Sequence, residues 1–252
     1  MKNYKRVVKE RYDRQRYDGK GMLKDIYSPI NPVGFYGEFK AAQVLSDFVN
    51  RISKDRGTLD GINICDCGCG DGVKTRFLAE LLGNPRQVYG VEYSENRLRH
   101  CRSMNPSIQY EYADLTEPGK GIPFETQFDG ISAFVVFMHF STEQEIMNAL
   151  DNIYHSLKRE GFFLWYELHE KSHWDGKKKN VDHWGFSPDE MDQYAKNAGF
   201  RLLHQYSVYI KVPILDVASV YLAKNIKNIW MLDILEMLPL KKSNLVRIYR
   251  KG

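Results

Sequence analysis

Three glycines and three carboxylates are the residues of this sequence whose types and spacing could do chemistry. Residues 62–66, Ile62-Asn63-Ile64-Cys65-Asp66, form a short run rich in β-branched residues that ends in a carboxylate. The run then breaks into Gly68, Gly70 and Gly72, and residues 73–82 read as an amphipathic helix. Strand, glycine loop and helix in succession bring backbone N–H groups and a helix N-terminus up to a polar ligand. Glycine is required there because a ligand presses on the backbone or φ must be positive. Glu92 closes a second apolar run, residues 87–92, and Asp114 follows a third, residues 108–112. A carboxylate at the tip of the second strand is placed to accept two hydrogen bonds from the hydroxyls of a ribose.

The glycine spacing narrows the ligand. A dinucleotide fingerprint starting at Gly68 and Gly70 needs its third glycine at position 73, which is Val73. The stretch Asp66-Cys67-Gly68-Cys69-Gly70-Asp71-Gly72 instead resembles motif I of the class I S-adenosylmethionine-dependent methyltransferases, in the form D-x-G-C-G-x-G. The resemblance continues in register over residues 60–210 and 244–250. It implies a Rossmann-like α/β fold: a seven-stranded, mostly parallel sheet with helices on both faces and an antiparallel last strand. The cofactor it implies is S-adenosylmethionine, lying across the C-terminal ends of strands one to four. By the resemblance, Asp66, Cys67, Gly68, Gly70 and Gly72 meet the methionine moiety, and Glu92 with Tyr93 beside it holds the ribose. Asp114 accepts from the adenine amine, and its neighbour Leu115 reads the ring through the backbone. Ala133 and Phe134, at the end of a fourth strand, face the methionine part again. Tyr27, Tyr36 and Lys40 belong to an N-terminal aromatic segment that in this family caps the cofactor and lines the substrate pocket. His139 matches a histidine that is frequent after the fourth strand and usually packs structurally.

The elements that must position these residues follow from periodicity and punctuation. The chain has 252 residues with 43% hydrophobic content, enough for one α/β domain with additions. Residues 3–17 read as a helix, and residues 26–37, with Pro29, Pro32, Gly34 and Gly37, as irregular. A helix is expected over 38–52. These give an N-terminal basic helix and aromatic cap over 1–55 and a methyltransferase domain over 56–252. Residues 128–140 are apolar enough for a central strand buried on both faces. Ser94, Ser141–Thr142 and Ser187-Pro188 mark helix starts. Residues 162–168 read as the fifth strand, and the Ala198-Gly199-Phe200 triplet leads into the sixth.

Charge and cysteine usage bound the partners. Nine Lys/Arg against three acids in residues 1–24 give that arm a balance of +6, and leave about −2 for the remainder of a chain with net charge +4. Such an arm meets a polyanion or folds as a solvated helix over the pocket, and the second reading is preferred. Cys65, Cys67, Cys69 and Cys101 lack C-x-x-C spacing and read as small buried thiols, with no metal site. No apolar run approaches the roughly 20 residues of a membrane span. The charged N-terminus is no signal peptide, so a cytoplasmic protein is expected.

Two segments depart from the family pattern. Residues 168–184 form a long polar loop with His169, His173 and His183, beyond the C-terminal edge of the sheet, where ligands bind. Metal ligation by His169, Glu170, His173 and His183 fits no tight template. Substrate contact or acid–base work by Glu167, His169 or His183 and a simply solvated loop both stay open. Residues 211–240 insert a very apolar, helix-like segment before the last strand, readable as a lid, a homodimer face, a lipid-docking surface or an added core helix. The catalytic candidates are Glu167, His169, His139 and His183. The function implied is methyl transfer to an O or N atom of a small-molecule acceptor. An RNA or protein methyltransferase using the basic arm is the alternative, although no Asn-Pro-Pro-Tyr-type tetrapeptide follows the fourth strand. A non-catalytic cofactor-binding partner subunit is the third reading.

Overall fold

A computed structural model describes residues 10, 32–170, 185–210 and 242–252. The basic arm apart from Glu10, Tyr27, His173, His183 and the 211–240 insert lie outside the described residues. The described elements run in the order α1 (Pro32–Arg56), β1 (Ile64–Cys67), α2 (Val73–Leu82), β2 (Val88–Glu92), α3 (Glu95–Met104), β3 (Gln109–Tyr112), β4 (Phe128–Phe134), α4 (Glu143–Ser156), β5 (Leu157–Leu168), α5 (Pro188–Asn197), β6 (Phe200–Ile210) and β7 (Lys242–Lys251). No helix among the described residues is long and apolar enough to cross a membrane.

The seven strands form one sheet in the order β3-β2-β1-β4-β5-β7-β6. β1 pairs in parallel with β2 and β4, β2 with β3, and β4 with β5. β7 runs antiparallel between β5 and β6. This is the Rossmann-like class I methyltransferase topology that the motifs imply. The chain winds from β1 outward to β3, then crosses back to lay β4 on the other side of β1. That reversal opens a crevice at the C-terminal ends of β1 and β4, the place where open α/β sheets bind ligands.

Strand alternation sorts the core into two layers. Cys65, Cys67, Val91, Ile131, Ala133, Phe163 and Trp165 pack with Ile146, Leu150 and Ile153 of α4 and Met191 of α5. Ile64, Val88, Phe134, Phe162, Leu164 and Tyr166 pack with Leu45 and Phe48 of α1, Leu78 of α2 and Leu98 of α3. Cys65 and Cys67 therefore share one face, whereas Cys69 and Cys101 sit in the opposite layer. Burial, with Cys67 beside it, pushes the Cys65 thiol up, away from the thiolate that a metal would need.

The start of α1 is a correction. Residues 32–37 are helical from Pro32, where an irregular segment is expected from prolines and glycines. Proline is tolerated at a first helical position because its missing N–H has no partner there anyway. Gly34 and Gly37 each cost a helix interior about 1 kcal/mol. The burial of Tyr36 and Ala41, followed by Val44, Leu45 and Phe48, outweighs that cost. A β-carbon at Gly37 would meet nothing within 4 Å. Gly37→Ala is therefore expected to raise stability by about 0.5–1 kcal/mol, read as a higher urea midpoint at unchanged m-value.

Candidate active site

The glycine loop is built onto the end of β2. Gly68 N–H and Cys69 N–H both donate to the Val91 carbonyl, at 2.8 and 3.0 Å, and Gly72 N–H donates to the Cys69 carbonyl at 2.9 Å. Gly68, Gly70 and Gly72 have φ of 68°, 57° and 75°, a left-handed run closed to most other residues. α2 opens on Gly72 with no side-chain cap. Helices α3, α4 and α5, by contrast, are capped by Ser94, Thr142 and Ser187.

Glu92 does more than close β2. Its Oε2 accepts the Gly70 N–H at 2.9 Å, and its Oε1 accepts the Ser94 N–H at 2.8 Å. One carboxylate thus fixes the middle of the glycine loop and the first turn of α3. A carboxylate offers about four acceptor positions, so Glu92 keeps capacity for two hydroxyls while its own geometry is locked. Next to it, Tyr93 and Tyr112 set their rings 5.7 Å apart. Asp114 Oδ1 accepts from Thr116 N–H and its hydroxyl, at 3.0 and 2.7 Å. Leu115 is buried beneath that turn.

Asp66 faces inward. It is 2% exposed, and its two oxygens accept from the Thr75 and Ser132 hydroxyls at 2.8 and 3.0 Å. Burial lifts its pKa to about 6, against the pull of the Thr75 hydroxyl, the Lys74 ammonium and the Ser132 hydroxyl. The carboxyl ties β1, β4 and α2 together under the loop. Cys67 and Ala133 are likewise fully buried, so what they present at the crevice is backbone.

Helix α1 reaches α2 through Glu38, whose carboxylate lies 3.2 Å from the Lys74 ammonium. Lys74 also stands 5.7 Å above the Phe134 ring, which stacks on Tyr166 at 4.9 Å. Lys40 is nearly buried, 5.0 Å above the Tyr36 ring. Through Glu38, Lys74 and Phe134 the start of α1, the start of α2 and the end of β4 therefore come together. The part played by Glu38 and Lys74 carries no sequence signal, because nothing local says that residues 36 apart in the chain will meet.

Of the catalytic candidates among the described residues, Glu167 and His139 meet at one turn and His169 lies at the end of β5. Glu167 is fully enclosed; Oε2 accepts the Met138 N–H and Oε1 the Leu168 N–H, both at 3.2 Å. Burial carries its pKa to about 8, despite the N–H groups around it. It supports the turn after β4 and does not open to the crevice. His139 is half-buried in that same turn, with its N–H donating to the Val136 carbonyl at 3.1 Å. His169 pairs with Phe186 in a short parallel bridge. Phe186 N–H donates to Leu168 O and Glu170 N–H to Phe186 O, at 2.7 and 2.9 Å, which ties together the two ends of the polar segment 171–184. His183 lies outside the described residues.

Residues 64–161 match the family model described as a methyltransferase domain. No curated protein sequence matches the chain. Among solved structures, the chain is similar to the magnesium protoporphyrin IX methyltransferase of Synechocystis PCC 6803 with bound S-adenosylhomocysteine. The identity is 14% over 98% of this chain and 100% of that one, with a TM-score of 0.64. It is also similar to the N-methyltransferase NodS of Bradyrhizobium japonicum WM9 in complex with S-adenosylhomocysteine, at 13% identity, 97% and 98% coverage and a TM-score of 0.62. At these identities the structures speak for the fold.

Proposed function

We propose that this chain, which by its domain at residues 64–161 and by its fold belongs to the class I S-adenosylmethionine-dependent methyltransferases, methylates an O or N atom of a small-molecule acceptor. The observation that carries the reading is Glu92, locked between Gly70 N–H and Ser94 N–H at the edge of the crevice, with acceptor capacity left over.

The residues fit the cofactor as follows. Glu92 takes the two ribose hydroxyls, with Tyr93 beside it. Asp114 and the backbone at Leu115 take the adenine edge. The 68–72 loop brings its backbone close to the methionine end, and the N–H groups at the open start of α2 face it, with Ala133, Phe134 and Tyr36 around it. S-adenosylmethionine supplies a methyl group on a positively charged sulfur, which is already a good leaving group. The chain therefore has mainly to align the acceptor and keep water out. Phe134, Tyr166 and Tyr36 supply an apolar wall for that. Where the acceptor must lose a proton, His139 is the better-placed base. Glu167 is enclosed and neutral at pH 7, and acts through the turn it holds.

A small acceptor is favoured because the similar structures above include enzymes named for small-molecule and N-methyl transfer, and because the Glu38–Lys74 pair fixes the start of α1 beside the start of α2 and Phe134. The test is transfer of labelled methyl from S-adenosylmethionine into a metabolite extract, by the full chain and by a chain lacking residues 1–24. Label in the small-molecule fraction with both chains is the expected result. Label confined to RNA or protein, and lost with the arm, would overturn the small-acceptor reading.

A further inference from the structure

The turn after β4 has a feature that cofactor binding alone does not require. Val135 has a φ of 57°, one of two positive-φ non-glycine residues among the described residues. For a β-branched side chain this is a true outlier, kept only where the surroundings over-determine it. The surroundings here do so. Val135 N–H donates to the Tyr166 carbonyl at 2.8 Å, which pins the turn to β5. Met138 N–H donates to the buried Glu167 at 3.2 Å, so the same strand grips the turn again from below. Phe137 packs against Trp165 with tilted rings whose centroids are 4.4 Å apart.

The product of this grip is the position of Val136. A β-carbon on Gly68 would lie 2.5 Å from Val136 Cγ2. Val136 is therefore seated directly on the first glycine of the cofactor loop, and His139 follows in the same turn. We propose that the 135–139 turn is a positioning element that couples occupancy of the glycine loop to the acceptor side of the crevice, with Val136 as the contact and Val135 and Glu167 as the residues that hold it there. The inference rests on the reading of the loop as a cofactor site. Through it, a cofactor that orders residues 68–72 also orders Val136 and His139, and a loosened turn gives the loop back its freedom.

The experiment is hydrogen exchange on the full chain with and without S-adenosylhomocysteine, for wild type and V136A, with affinity measured by calorimetry alongside. In wild type the ligand is expected to slow exchange by at least about fivefold both in 68–72 and in 136–140. In V136A the slowing at 68–72 persists and the slowing at 136–140 disappears, with affinity within about threefold of wild type. A second variant, V135G, releases the constrained φ without altering the Gly68 contact atoms. Glycine takes this φ without the penalty that valine carries and keeps the N–H bond to Tyr166, so V135G is expected to slow exchange at 136–140 in the ligand-free protein, to keep the ligand-induced slowing there and to leave 88–92 unchanged. Slowing confined to the loop in wild type, or slowing at 136–140 that survives V136A, overturns the coupling while leaving the cofactor site intact. Absence of any binding by wild type overturns the cofactor reading itself, and the coupling with it.

Discussion

Glu92→Ala is expected to weaken S-adenosylhomocysteine binding by at least about a hundredfold, from two losses that act together. The first is direct. Two hydrogen bonds from ribose hydroxyls to a charged group are worth about 1.5–3 kcal/mol each, and 1.4 kcal/mol is a factor of ten in affinity. The second is preorganisation. Each Glu92 oxygen already holds a backbone N–H, of Gly70 on one side and Ser94 on the other. Alanine leaves both donors without this acceptor and lets the loop relax, so thermal stability should also fall by about 1–2 kcal/mol. Glu92→Gln separates the two. Its single amide oxygen can keep one of the N–H groups, so it should recover part of the stability and less of the affinity. Calorimetric titration and thermal melts on the three proteins give the comparison. Equal affinity in wild type and alanine variant would remove Glu92 from the binding site.

The second large effect concerns pH. The folded pKa of Glu167 is about 8 and that of Asp66 about 6, both raised above their ordinary values by burial. A carboxyl raised in this way contributes stability that is full below its unfolded pKa and is lost as pH rises through its folded pKa. Asp66 completes its loss near pH 6, whereas Glu167 goes on destabilising up to about pH 8. Between pH 6 and 8 Glu167 alone of the pair should make stability fall by about 1.4 kcal/mol per pH unit. Glu167→Gln removes that slope, because an amide stays neutral. The variant places an NH2 where one oxygen accepted a backbone N–H, and should be about 1–2 kcal/mol less stable than wild type at pH 5. The two curves then cross, with the variant the more stable at pH 9. Urea midpoints at pH 5, 7 and 9 measure it. Parallel curves would mean that Glu167 titrates as an ordinary exposed carboxylate.

Much of the scaffold was legible because its signals are local. The glycines at 68, 70 and 72 need left-handed backbone, and each has it. Glu92 and Asp114 fall at the ends of β2 and β3 as the alternation of apolar runs required. Ser94, Thr142 and Ser187 cap helices, because capping depends on residues within three positions of one another. The apolar run 128–140 holds β4, buried on both faces, and the turn after it. The misreading at Pro32–Gly37 arose where local preference and burial disagree. Pro32 costs little at the first helical position, Gly34 and Gly37 oppose the helix by about 1 kcal/mol each, and burying Tyr36 and the α1 stripe exceeds that.

The sequence by itself determined the fold class and pointed to a methyltransferase domain, because both depend on spacings a few residues long. Only the tertiary structure decided what the carboxylates do. Asp66 is turned under the loop and Glu167 under the turn after β4, whereas Glu92 stands between loop and helix. Strand parity, the order in which β1 and β4 come together, and the density of neighbours fix those environments. All three are properties of residues far apart in the chain. A carboxylate's chemistry is set by whether water or backbone N–H groups surround it, so its role cannot be read until those distant partners are in place.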